Sequence, residues 1–293
     1  MLVSLPIGYF ILLSNLGKDP RKLLAGIILL FSIGPVTKYI VAGFYFGGGD
    51  ILMHVKFIEQ LLRSGDPATI SSLYSLFPAY HILMASTSLI TSLPAYDSLM
   101  IMGLICLSLV LLFIYVIIRA GAGSGDLTLP IFTILLLSLV PSISFYTSYF
   151  YPQSMAITLL VIFLYTSSAY TDDWGSIRFA IISIVVMTSL VLTHHLTIVL
   201  ASVPIVLLPL IALYIRRADN FRVKGLQRKV VYPALIPITL LMIAAVTYWS
   251  YIGTKFVVAL LHAAINVIPV GGAVNTGGGE YIGFGGVTAN TDP

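Results

Sequence analysis

Charge is what this sequence has least of. Asp, Glu, Lys and Arg make up 9% of the chain, against 58% hydrophobic residues and a mean hydropathy of +1.02. A soluble domain needs roughly 25% charged residues to wet its surface. A chain this poor in charge cannot cover a water-exposed globule, so lipid is its main solvent. Cysteine is nearly absent as well. The single Cys106 lies in an apolar run, which excludes an internal disulfide framework and a thiolate metal centre. The chain also lacks GxxxxGK[ST], HExxH and GxSxG. It therefore offers no phosphate loop, no zinc-protease helix and no nucleophile elbow. The net charge of +4 comes from clustered positives, which read as membrane orientation signals. No nucleic-acid partner is expected.

What is there is a succession of long apolar runs. They cover Leu2–Leu16, Leu23–Phe46, Ser98–Ile118, Leu127–Val140, Ser154–Tyr170, Phe179–Tyr214 and Val230–Tyr251. A chain of 293 residues has room for about seven to nine spans of about 20 residues. The expected fold is all-α, a polytopic bundle of transmembrane helices over residues 1 to 270. Leu2–Leu16 lacks a basic leader and reads as a helix, not a signal peptide. Gly271–Pro293 is rich in Gly, Asn and Thr. It reads as a loop or truncated tail, and the chain as the front part of a longer protein.

Arg178 and Arg216 bracket 37 apolar-dominated residues. One straight helix of that length would run about 56 Å, against a hydrocarbon core of about 30 Å. Two spans with a turn at Thr193-His-His-Leu-Thr197 resolve the conflict. Positive-inside bookkeeping then orients the chain. The loop holding Arg216, Arg217, Arg222, Lys224, Arg228 and Lys229 opposes them only with Asp219, so it is cytoplasmic. His194 and His195 fall outside, as do Asp50 and the aromatic segment that ends at Tyr151. The parity closes only if Gly47 to Arg119 crosses once. Ser98–Ile118 is the better span, so the Ser/Thr-rich run Tyr80–Leu93 is expected not to cross.

Between the first two spans lies the most informative stretch, Gly47 to Gly65. Three glycines end a span, and Asp50 is placed to cap a new helix. Ile51, Val55, Ile58 and Leu62 form an apolar stripe at helical spacing. Lys56, Glu59, Gln60 and Arg63 form the wet face, with Glu59 and Arg63 at the supportive i,i+4 spacing. The pattern predicts an amphipathic helix lying on the external membrane surface. Asp50 and His54, also four apart, sit at the edge of its stripe. They face the protein body, or else Asp50 simply caps the helix and His54 snorkels at the interface. Further polar groups collect on the same side, among them His81, Tyr151, His194 and His195. Tyrosines there read equally well as an interfacial belt.

Taken together, Gly49-Asp50 with His54, the helix to Gly65, Phe77-Pro-Ala-Tyr-His81, Tyr151-Pro-Gln-Ser154 and Thr193-His-His-Leu-Thr197 resemble the GT-C class of membrane glycosyltransferases. They are similar in particular to archaeal-type membrane proteins of that kind. The resemblance covers roughly Leu23 to Tyr251. It implies transfer of a sugar from a polyprenyl-phosphate donor to an acceptor on the external face. It also implies that Asp50 is the catalytic or metal-binding acid, with Mg²⁺ or Mn²⁺ as the candidate ion. His54, His81, Tyr151, His194 and His195 are the candidate substrate-binding residues. The second acidic residue frequent in that class has no counterpart in Ser142–Gln153, which argues against a two-carboxylate metal site. A non-catalytic transporter or lipid-handling membrane protein is the alternative reading.

Overall fold

The computed structural model describes residues 20–42, 48–70, 73–122, 127–140, 150–172, 177–194, 197–198, 232–252, 254 and 257–258. The expected helix at Leu2–Leu16, the basic loop Arg216–Lys229, His195 and the Gly-rich tail lie outside these residues. Among the described residues the fold is helical, with no strand. The longer helices are α1 (Pro20–Ala42), α2 (Gly48–Ser64), α3 (Ala79–Thr91), α4 (Ala95–Ala122), α5 (Thr128–Leu139), α6 (Pro152–Asp172), α7 (Ile177–Val191) and α8 (Tyr232–Tyr251). Two short 3-10 turns, Pro67–Thr69 and Leu73–Leu76, join α2 to α3.

Local chemistry sets several of these boundaries. Gly65 ends α2 in the left-handed region, with φ of 69°. Its N–H returns to the Leu61 carbonyl at 2.8 Å, which is how an αL glycine closes a helix. Asp66 then caps the first 3-10 turn by accepting from the Ala68 N–H at 2.9 Å. Ser92, also at positive φ, stops α3 just before Leu93-Pro94. The expected turn in the long apolar run is present: α7 ends at Val191, Leu192 and Thr193 form a turn, and Thr197 and Ile198 are helical again.

Helix α4 is the centre of the assembly and packs against α1, α2, α3, α5 and α6. Helix α6 extends the bundle by packing on α7 and α8. At one end, Ile51, Ile58 and Leu61 of α2 pack with Tyr80 and Met84 of α3 and Tyr96 and Leu99 of α4. The amphipathic stripe of α2 is therefore spent on the protein itself. Helices α3 and α4 cover that face.

The outward faces are apolar. Leu29, Ile40 and Val41 of α1, Ile105 of α4, Leu136 of α5, Ile181 and Ile184 of α7 and Ile243 of α8 are all exposed. An outer surface of this kind suits lipid and not water. Two helices, Arg21–Val41 and Ala95–Ala120, are long and apolar enough to cross a membrane; Thr128–Leu139, Pro152–Ser167, Ile177–Val191 and Thr239–Tyr251 are shorter apolar segments. Helix α3, at 13 residues, is about 20 Å long, well short of a 30 Å core. Between the helices, hydroxyl bonds add to the apolar packing. Ser183 of α7 donates to Thr166 of α6 at 2.9 Å. Thr158 of α6 reaches the Cys106 carbonyl of α4 at 3.4 Å.

Candidate functional site

The Phe77-Pro-Ala-Tyr-His81 segment is a structural joint. Phe77 is buried among residues of α6, α7 and α8. The Ala79 N–H donates to the Leu192 carbonyl at the end of α7 at 3.2 Å. The Tyr80 hydroxyl donates to the Phe150 carbonyl, just before α6. Tyr248 of α8 donates to the Leu76 carbonyl next door. These bonds draw the starts of α3 and α6 and the end of α7 to one place. Peptide groups outside regular helices must find partners when buried, and here they find one another or a tyrosine hydroxyl.

At that place is a pocket of about 240 Å³, lined by Asp50, His54, Tyr74, Tyr151, Pro152, Gln153 and His194. Asp50 lies in the first turn of α2 and is exposed. The helix runs from Gly48, so Asp50 stands inside its first turn and not at the cap position expected for it. A carboxylate there is favoured by the helix dipole. One turn further on, His54 is only 3% exposed. Snorkelling at an interface is ruled out for it by that burial. Rings surround it: Tyr74 at 4.9 Å, Tyr80 at 5.5 Å, Tyr151 at 6.0 Å and Phe57 at 6.3 Å between centroids.

The second wall is the start of α6. Pro152 opens the helix, where a missing N–H costs nothing. Ser154 reaches back to accept from the Tyr151 N–H at 3.3 Å, fixing Tyr151 at the pocket edge. The third wall is His194, in the turn after α7. Its Nδ1 accepts from the Thr197 backbone N–H at 3.2 Å and stands 2.9 Å from the Thr197 hydroxyl. A backbone N–H can only donate, so Nδ1 is bare and the neutral ring carries its proton on Nε2.

All three described histidines here are held neutral. Burial, then the like charge of His81 and of His194, pulls His54 from 6.5 down to about 3. Burial alone lowers His81 and His194 to about 4. Each lies in a segment connecting the apolar spans. Burial, and then the Asp50 carboxylate, raises the Tyr74 hydroxyl. The site at neutral pH is thus one exposed carboxylate facing neutral imidazoles and tyrosines, at the N-termini of two helices.

Of the residues expected from sequence, Asp50, His54, Tyr151 and His194 share the pocket. His81 does not line it; it is fully buried behind His54, with its Nε2 3.1 Å from His54 Nδ1. Tyr74 is the lining residue that the sequence did not point to. Tyr74 carries no local signal, since only the fold of the 3-10 turn brings it back over α2. Pro152 and Gln153 were legible as the flank of Tyr151.

A Mg²⁺ or Mn²⁺ ion prefers several oxygen ligands in octahedral geometry. Among the described residues no three His, Cys, Asp or Glu side chains are grouped to hold a metal. The oxygen and nitrogen donors that line the pocket belong to Asp50, Tyr74, Tyr151, Gln153, His54 and His194. Compared with known proteins, the chain matches no family model, no curated protein and no solved structure.

Proposed function

We propose that this chain is a multi-pass membrane glycosyltransferase of the GT-C kind, transferring a sugar from a polyprenyl-phosphate donor to an acceptor on the external face. One observation carries the reading. Asp50 and His194, 144 positions apart in the sequence, line one polar pocket at the end of an otherwise apolar bundle. Sidedness rests on the cytoplasmic assignment of Arg216–Lys229, which puts the Asp50 loop outside. The apolar outer surface of α4, α5 and α7 supports contact with membrane lipid, and with the prenyl chain of the donor.

In this mechanism Asp50 takes the proton of the acceptor hydroxyl as that oxygen bonds to the sugar's anomeric carbon. The bond from that carbon to the donor phosphate breaks, and its electron pair leaves with the phosphate. His54 and His194 meet the departing phosphate as neutral N–H donors, aided by the N-terminus of α6. Neutral donors suit this role because a buried cation would be costly without a permanent partner. Tyr151 and Tyr74 close the sides.

The test is transfer of radiolabelled sugar from polyprenyl-phosphate donors in membranes, comparing wild type with Asp50→Ala. Loss of transfer in the variant, at equal expression, supports the reading. Full activity in the variant removes Asp50 from the mechanism. Donor binding by the wild type without any transfer returns the chain to the transporter or lipid-handling reading.

A further inference from the structure

The Asp50 pocket accounts for His54 and His194 but not for His81, a fully buried imidazole with no access to any ligand. We infer that His81 is a positioning residue: it locks His54 in the Nε2–H tautomer, so that His54 presents a hydrogen-bond donor and not a base to the pocket.

His54 Nδ1 and His81 Nε2 are 3.1 Å apart. At that distance the two nitrogens share one proton, so one of them carries it and the other is bare. Both rings are neutral, because burial pulls both below the usual imidazole range. Two arrangements remain. In one, His81 Nε2–H donates to a bare His54 Nδ1, and His54 keeps its proton on Nε2. In the other, His54 Nδ1–H donates to a bare His81 Nε2, and His81 keeps its proton on Nδ1.

The far side of His81 decides between them. Its Nδ1 is buried and has no hydrogen-bond partner among the described residues. The second arrangement would strand an N–H there, and a stranded buried donor is the rarer and costlier fault. The first leaves only a bare lone pair there, in an imidazole packed among the rings of Tyr74, Tyr80 and Phe57. It also puts both imidazoles in the tautomer that neutral histidine intrinsically prefers. With Nδ1 turned to His81, Nε2 is the nitrogen His54 has left for the pocket it lines. His54 then matches His194, whose Nδ1 is occupied by the Thr197 N–H. The pocket holds two imidazole donors, each locked from behind by a different device, and Asp50 is left as its only described base. The catalytic consequence rests on the transferase reading above; the tautomer itself does not.

The experiment is nitrogen NMR of the full chain, ¹⁵N-labelled at histidine, in lipid nanodiscs at neutral pH. His54→Gln supplies the assignment. The expected wild-type spectrum shows His54 with a protonated Nε2 and a bare Nδ1. His81→Gln, whose amide N–H reaches about as far as Nε2, keeps that pattern. His81→Leu removes the donor and gives His54 a mixture of tautomers. A wild-type His54 protonated on Nδ1 overturns the inference even if no variant folds. So does a single Nε2–H tautomer that persists in His81→Leu. A transfer assay on the same samples separates the two ideas. The expected tautomer with no transfer leaves the positioning role intact and removes the glycosyltransferase reading.

Discussion

Replacing Tyr80 by Phe tests the claim that the Phe77–His81 joint holds the pocket together. Tyr80 is fully buried, and its hydroxyl donates to the carbonyl of Phe150, 70 positions away. Phe150 is itself 1% exposed. Deleting one oxygen leaves the aromatic body in place, so the packing term is small. What remains is a buried carbonyl stripped of this donor, which costs about 1–3 kcal/mol. At about 2 kcal/mol the unfolding equilibrium moves roughly 30-fold, since 1.4 kcal/mol is tenfold. The assay is reversible unfolding by SDS titration in mixed micelles. Tyr251→Phe, on a residue 83% exposed, serves as the control and is expected within about 0.5 kcal/mol of wild type. Hydrogen exchange at Tyr151 and Gln153 should rise in Tyr80→Phe and stay unchanged in the control. A Tyr80→Phe protein as stable as the control, with unchanged exchange at the start of α6, would falsify the role given to this bond.

Acid should loosen the same end of the molecule. His54, His81 and His194 have folded values of about 3 to 4, below the 6.5 of an unperturbed imidazole. The unfolded chain therefore binds more protons between those values, so stability is full above about pH 6.5 and falls as pH drops toward 4. The slope is on the order of 1 kcal/mol per pH unit for each histidine; unfolding midpoints at pH 7, 6 and 5 measure it, and a flat profile refutes neutral burial. Gly65→Ala should destabilise by roughly 1 kcal/mol through its positive φ alone, because a Cβ there meets nothing within 4 Å. Gly34→Ala, equally uncrowded but inside α1, should gain up to about 1 kcal/mol by helix propensity, and equal effects at the two sites would contradict the backbone explanation. A double-mutant cycle of Ser183→Ala and Thr166→Val should return a coupling of about 0.6 kcal/mol across α6 and α7; zero coupling would make the contact incidental.

The amino-acid sequence by itself determined the helical class and nearly every helix described. Long apolar runs can satisfy their peptide groups in lipid only within the run, so Ser98–Ile118 and Val230–Tyr251 declare themselves without knowledge of any neighbour. The turn at Thr193–Thr197 followed from length alone, since a run of 37 residues overshoots the hydrocarbon core. Asp50 and His54 stood out because i,i+4 spacing is a local property of one helix. Tertiary structure decided the rest. The stripe of α2 could face lipid or protein with the same periodicity, and only the packing of α3 and α4 against Ile51 and Ile58 chose protein. His81 and His194 looked alike as candidate ligands, because a sequence shows residue type but not depth. Folding puts one behind His54 and the other at the pocket wall. Tyr74 entered the site with no signal of its own. Convergence of Asp50 with His194 depends on bonds from Tyr80 to Phe150 and from Ala79 to Leu192, which are non-local contacts that no window along the chain contains.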